Sequence, residues 1–196
     1  MKGIEMNKHL NIRIVLLCLA ALLCLVPLVS CSTEELGKGW VPAGMQQASG
    51  DDMPYRMFVP TQWKVGSSDG AVTAYSEDAS VSFTQVFFKE LVKDGKNPTL
   101  TEYYESYIPS MKESVKDLEF LTEGEDMIID GTFPAKKYVY TGTVGGVSCK
   151  FMQVLFYAEK DMYLFTFTAA ADNYQTYEES VNKILSNLLF SEKAAE

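Results

Sequence analysis

From Glu119 to Ala170 the chain reads as four strand-length runs joined by connections of about three residues each, and no other feature limits the fold so tightly. The runs are Glu119 to Ile129, Phe133 to Thr143, Val147 to Ala158 and Met162 to Ala170. Asp130-Gly131 and Gly145-Gly146 punctuate them, and both dipeptides tolerate the positive φ that a tight hairpin turn demands. Connections this short can only join antiparallel neighbours, so the segment predicts a four-strand meander. "CKFMQVLFYAE" and "MYLFTFTAA" are apolar at both alternating sets of positions. A sheet built from them needs cover on both faces.

Upstream, "YRMFVP" and "AVTAY" read as strands on either side of a turn-rich "GSSDG". "SVSFTQVFF" alternates Val81, Phe83 and Phe87 against Ser82, Thr84 and Val86, the period-two signature of a strand. A helix follows, opened by a capping box of Thr99 and Glu102. Leu100, Tyr103, Tyr104, Tyr107 and Met111 fall on one of its faces. Pro109 predicts a kink or a restart, because it deletes one backbone donor and crowds the preceding turn. A final helix spans about residues 173 to 189, capped by Asp172 or Asn173, with Tyr174, Tyr177, Val181, Ile184, Leu185 and Leu188 as its apolar stripe.

These elements sum to an α+β layer architecture, an antiparallel sheet with helices packed on it. "YRMFVPTQW", with its Phe58, Pro60 and Trp63, resembles the opening of the PsbP-like fold shared with the Mog-type Ran-binding factors. The ending "ILSNLLF" is similar to the tail of that superfamily, and the order of strands, helix, meander and helix agrees with it. The resemblance covers roughly residues 53 to 190. It implies an αβα sandwich of about six or seven strands with two main helices, used for docking to other proteins and not for catalysis. Within that superfamily, small bacterial lipoproteins look closest.

The N-terminal segment carries Lys2, Lys8 and Arg13 before the apolar run "IVLLCLAALLCLV". A basic start, an apolar stretch of about 7–15 residues and a small-residue cleavage site describe a secretory signal. A permanent span needs about 20 apolar residues, more than Ile14 to Val29 supplies, and Glu34 and Glu35 follow where a basic stop would stand. "LVSC", Leu28 to Cys31, resembles the lipobox of bacterial lipoproteins. That resemblance implies cleavage between Ser30 and Cys31 and a covalent diacylglycerol on the Cys31 sulfur, with an N-acyl chain such as palmitate as a further addition. Two acyl chains anchor stably where one is marginal. The expected organisation is a signal peptide over 1–30, lipidated Cys31 with a flexible tether over 31–50, the folded domain over 51–191 and a tail over 192–196. Trp40 is the one large aromatic in the tether.

Loss of residues 1–30 removes three of the 17 basic and one of the 26 acidic residues, leaving 14 against 25 and a formal charge of −11. So acidic a chain is a poor nucleic-acid ligand, since that binding neutralises phosphates. It also gains nothing from anionic headgroups, so lipid must supply the membrane attachment. The one histidine, His9, leaves with the signal, as do Cys18 and Cys24. Without histidine, Ser-His-Asp and Cys-His chemistry and the commonest zinc ligand are gone. Cys149 is then the last thiol, without an intramolecular disulfide partner.

Three groups of residues remain as candidates. Glu123, Glu125, Asp126 and Asp130 offer hard oxygens for a metal, but their spacing does not match an EF-hand. On a regular strand Glu123 and Glu125 share a face and Asp126 points away, so a solvated strand end is the simpler reading. Cys149, next to Lys150 on a strand, reads as a buried inert thiol, because adjacent residues face opposite sides. Tyr103, Tyr104 and Tyr107 form a candidate interaction patch, tyrosine being enriched at interfaces, and the alternative is that they are core or half-core residues. No cofactor is expected. The sequence thus predicts a non-enzymatic, membrane-anchored extracytoplasmic lipoprotein with a protein partner in the cell envelope. The alternative is a small-ligand or metal-binding lipoprotein with a pocket between sheet and helix.

Overall fold

The computed structural model describes residues 39–68 and 71–190, and the folded unit runs from Val41 onward. The proposed signal, Ser30 and Cys31 and the 192–196 tail lie outside the described residues. Three short strands come first, β1 (Met45–Gln47), β2 (Tyr55–Arg56) and β3 (Phe58–Pro60), followed by β4 (Lys64–Ser68), β5 (Ala71–Tyr75) and β6 (Ala79–Val86). Helix α1 (Leu100–Ser114) leads into the meander β7 (Lys116–Ile129), β8 (Phe133–Val144), β9 (Val147–Ala158) and β10 (Asp161–Ala170). Helix α2 (Tyr174–Ser186) and β11 (Leu189–Phe190) close the described chain.

The main sheet has seven antiparallel strands in the order β4-β5-β6-β10-β9-β8-β7. The meander therefore runs backwards: the chain leaves β6 near the middle, crosses one face through α1, starts β7 at the far edge and returns to place β10 beside β6. Alternation then sorts the meander residues into two cores. Met152, Val154 and Phe156 of β9 join Phe165 and Phe167 of β10, Phe83 of β6 and Ile184 of α2 on one face. Phe151 and Leu155 join Met162, Leu164, Tyr104 and Met111 on the other, beneath α1. This two-sided burial is the physical reason β9 and β10 are apolar throughout.

Several expectations need correction. The domain begins earlier than residue 51: β1 pairs with β3, Met45 is buried, and the Ser49 hydroxyl accepts a hydrogen bond from the buried Met57 N–H at 3.0 Å. "YRMFVP" is two strands that pair with different partners, β2 with β11 and β3 with β1. Gly66, Ser67 and Ser68 of the turn-rich "GSSDG" instead belong to an edge strand, Lys64–Ser68, paired with β5. Phe87 is 83 % exposed, because β6 stops at Val86 and its alternation ends there. Of the two outcomes expected at Pro109, a restart does not occur: α1 is continuous from Leu100 to Ser114. Pro109 and Glu105, whose carbonyl loses its partner, are both exposed, so water can take up that acceptor. The last helix ends at Ser186, and Leu189 pairs with Arg56 as a strand.

Candidate functional site

Helix α1 lies across β7 and β8 at one edge of the sheet, and a pocket opens along their junction. The helix is fixed at its start by the capping box. Thr99 Oγ1 accepts from the Glu102 N–H at 3.2 Å, and Glu102 Oε2 accepts from the Thr99 N–H at 2.8 Å. The Tyr157 hydroxyl donates to the Pro98 carbonyl at 2.8 Å and ties this entry to β9. At the other end α1 runs straight into β7, where Val115 presses on Gly142. A Cβ at Gly142 would overlap Val115 Cγ1 and sit 2.9 Å from the Lys116 carbonyl oxygen. Only glycine permits that approach.

The pocket has a volume of about 300 Å³ and takes Thr101, Glu105, Ile108 and Lys112 from α1. Its apolar wall is aromatic. Tyr104 stacks on Tyr138 with centroids 3.4 Å apart, and Phe120 meets Tyr104 in an edge contact at 6.3 Å. The Tyr104 hydroxyl donates to Gln153 Oε1 at 2.9 Å, and Gln153 Nε2 reaches Thr166 Oγ1 at 3.3 Å. That chain satisfies the polar groups beneath the wall. Tyr138 differs: it is 5 % exposed, and its hydroxyl makes no hydrogen bond of ordinary geometry among the described residues. Burial pushes its pKa up, the neighbouring Thr101 side chain offsets part of that rise, and Glu105 nearby adds to it. Burial, followed by the neighbouring tyrosines, raises Tyr104 as well. Both phenols stay protonated at neutral pH.

The acidic run lies on β7, and β7 is not regular. Its register against β8 shifts three times, between Lys116 and Glu119, Phe120 and Thr122, and Thr122 and Glu125. Gly124, at φ +73°, supports the last shift. Each shift inserts a residue without a partner and re-aims the side chains beyond it. The expectation that Glu123 and Glu125 share a face is therefore overturned. Glu123 lines the pocket beside Lys136 and Tyr138, whereas Glu125 pairs with Lys137 at 2.8 Å and Asp126 with Lys136 at 2.8 Å. Lys136 and Lys137 are adjacent on β8 and face opposite sides, so Glu125 and Asp126 do too. Asp130 sits in the β7–β8 turn, where its carboxylate accepts from the Phe190 N–H at 3.2 Å. Among the described residues no three His, Cys, Asp or Glu side chains converge on a metal-sized point.

Tyr104 is 2 % exposed, so it cannot belong to an exposed patch. Tyr103 and Tyr107 are half-buried against the same core. Cys149 is buried, its thiol donates weakly to the Val147 carbonyl at 3.6 Å, and burial raises its pKa. Lys150 lies on the opposite face with its ammonium 4.2 Å from the centre of the Tyr174 ring. Sequence reading did not pick out Glu105, Lys112, Phe120, Lys136 or Tyr138 as site residues. One signal was present: a glycine inside an acidic strand marks a bulge.

The carboxylates and ammonium groups that line the pocket, beside a flat apolar wall, suit binding of a small polar–apolar molecule. No family model matches the chain, and no curated protein does either. Among solved structures, cyanobacterial PsbP (CyanoP) from Synechocystis sp. PCC 6803 is 18% identical, with a TM-score of 0.57, covering 84% of this chain and 99% of that one. A Pseudomonas aeruginosa protein of unknown function is 14% identical at a TM-score of 0.50, covering 75% of this chain and 97% of that one. The Saccharomyces cerevisiae Ran-binding protein Mog1p is 10% identical at 0.49, covering 74% and 95%. Together with the seven-strand topology, the first of these identifies the fold as the PsbP-like αβα sandwich that the sequence resemblance implied.

Proposed function

We propose that this chain is an extracytoplasmic lipoprotein whose folded unit is an accessory domain that acts by binding and not by catalysis. The observation that carries the reading is "LVSC" directly after an apolar run. It makes Cys31 the diacylglycerated first residue of the mature protein, held at the membrane by lipid. The likeness of the fold to CyanoP supports an accessory role, as does the want of histidine from Ser32 onward. The partner is a protein of the cell envelope.

Two experiments test the two halves. Cys31→Ala should abolish radiolabelled palmitate incorporation and release the protein from the membrane fraction, and unchanged labelling would overturn the anchor. Crosslinking in intact cells with mass spectrometry should recover an envelope protein in the wild type. If it recovers none, the accessory role falls.

A further inference from the structure

The fold shortens the reach of the lipid anchor. The folded unit begins at Val41 and not at residue 51, so only residues 32–40 separate it from Cys31. Nine residues extend at most about 30 Å and span about 17 Å on average as a coil. A unit the length of residues 41–190 has a radius of gyration of about 15 Å. An anchored domain therefore stays within about one radius of the headgroups, and its own surface meets lipid.

One loop suits that encounter. Between β6 and α1, residues 87–97 read "FFKELVKDGKN". Phe88 turns inward onto the edge of the Tyr157 ring at 5.6 Å, and Leu91 is half-buried. The Leu91 N–H donates to the Phe88 carbonyl at 2.9 Å. Lys93 and Lys96 exchange backbone hydrogen bonds of 3.2 and 2.9 Å across Asp94-Gly95, both at positive φ. On this ordered frame Phe87 is 83 % exposed, more than any other large apolar side chain among the described residues. Lys89, Lys93 and Lys96 are exposed beside it in the chain.

A lone exposed aromatic is ordinary on a protein surface. With lysines close in sequence, on a domain held beside a bilayer, it has the chemistry of an interfacial contact. The ring enters the headgroup–acyl boundary, while the lysine stems lie along apolar surface and keep their ammonium groups at the phosphates. Charge favours this loop over the rest of the molecule. Glu90 and Asp94 leave it at +1, whereas the remainder of the chain from Cys31 onward is −12. An anionic surface attracts the first and repels the second. Ile128, 64 % exposed, lies between Asp126 and Asp130 and lacks that complement. Val147, 54 % exposed, stands at the opposite end of the sheet, since β10 pairs Met162 with Val86 at one end and Ala170 with Cys149 at the other.

We propose that the 87–97 loop is a second membrane contact, with Phe87 inserted at the headgroup–acyl boundary of an anionic bilayer and Lys89, Lys93 and Lys96 on its phosphates. The anchored domain then lies with this end of the sheet on the membrane. The inference rests on the lipid anchor at Cys31 for proximity, and its test supplies that anchor chemically so that the two fail separately.

Residues 31–196, which include every described residue, are coupled through the Cys31 thiol to a maleimide lipid in phosphatidylethanolamine–phosphatidylglycerol vesicles. Cys149 is buried and does not compete. Phe87→Trp and Val147→Trp are each read against the unsubstituted chain, whose Trp40 and Trp63 give the background. Brominated acyl chains should quench about half or more of the emission added at position 87 and leave that added at position 147 unchanged. Lys89→Glu/Lys93→Glu/Lys96→Glu, placed in the Phe87→Trp chain, should cut the quenching about twofold or more without lowering the melting temperature. Equal quenching at both positions, none above background, or quenching indifferent to the lysine changes would overturn the proposal. So would unquenched emission at position 87 together with an in-cell crosslink from that position to an envelope protein, which would assign the loop to a protein contact.

Discussion

Gly142 shows how much one missing side chain can decide. It sits where the α1–β7 junction crosses β8, and a methyl group there would meet Val115 and the Lys116 carbonyl. Gly142→Ala should lower stability by about 1–3 kcal/mol, as overpacking does, and urea unfolding of the two proteins would read it. Asp78 acts through charge. Its carboxylate accepts from the Tyr177 hydroxyl and from the Asn173 side-chain amide at the start of α2, and these bonds hold its pKa below the usual carboxylate range. A depressed folded pKa contributes stability above the unfolded value, about 3.9, and that contribution fades as the pH falls through the folded value. Asp78→Asn should therefore be less stable than wild type near neutral pH, with the gap closing at about pH 2. Urea midpoints at both pH values give the answer, and a constant gap would refute it. Neither Gly142 nor Asp78 was legible as important, because the contacts that make them so lie 24 or more residues away in sequence.

At the scale of elements, α1 was legible because its determinants are local. Thr99 and Glu102 specify its start, and the residues every third and fourth position specify its buried face. Thr99→Ala should remove about 1 kcal/mol of stability, measurable as a lower melting temperature. At Pro109 the chain does not restart the helix, because the residue and the carbonyl it frees at Glu105 are exposed and water can take up that acceptor. Pro109→Ala should stabilise the protein, by up to about 3 kcal/mol. Strand β7 was legible as a strand but not as a bulged one. Alternation rules assume a constant register, so three register shifts defeated the assignment of Glu123 and Glu125 to one face. The pocket is a product of those shifts. Glu123 enters it only because bulges on both sides re-aim the residue.

On the scale of the whole molecule, the two cores need covers from distant parts of the chain. Helix α1 covers one face of the sheet and α2 the other. Residues 41–50, read as tether, belong to the second layer. Gln46 donates to the Trp63 carbonyl at 2.7 Å, and Lys183 of α2 donates to the Ala43 carbonyl at 3.0 Å. Deleting residues 1–50 should lower the melting temperature markedly, since it orphans the buried Met57 N–H at about 1–3 kcal/mol and strips β3 of its partner. An unchanged melting temperature would return the boundary to residue 51.

The sequence by itself determined the meander, the two helices and the α+β class, because turn dipeptides, capping residues and apolar periods act over a few residues. It also placed Cys31 in its lipobox-like context, a pattern that needs no fold to be read. The tertiary structure alone decided the seven-strand order, the membership of β1 in the domain and the pocket beside Tyr138. Each of these depends on pairings between residues far apart in the chain, where register and close approach are set by the packing of neighbours and leave no periodic trace.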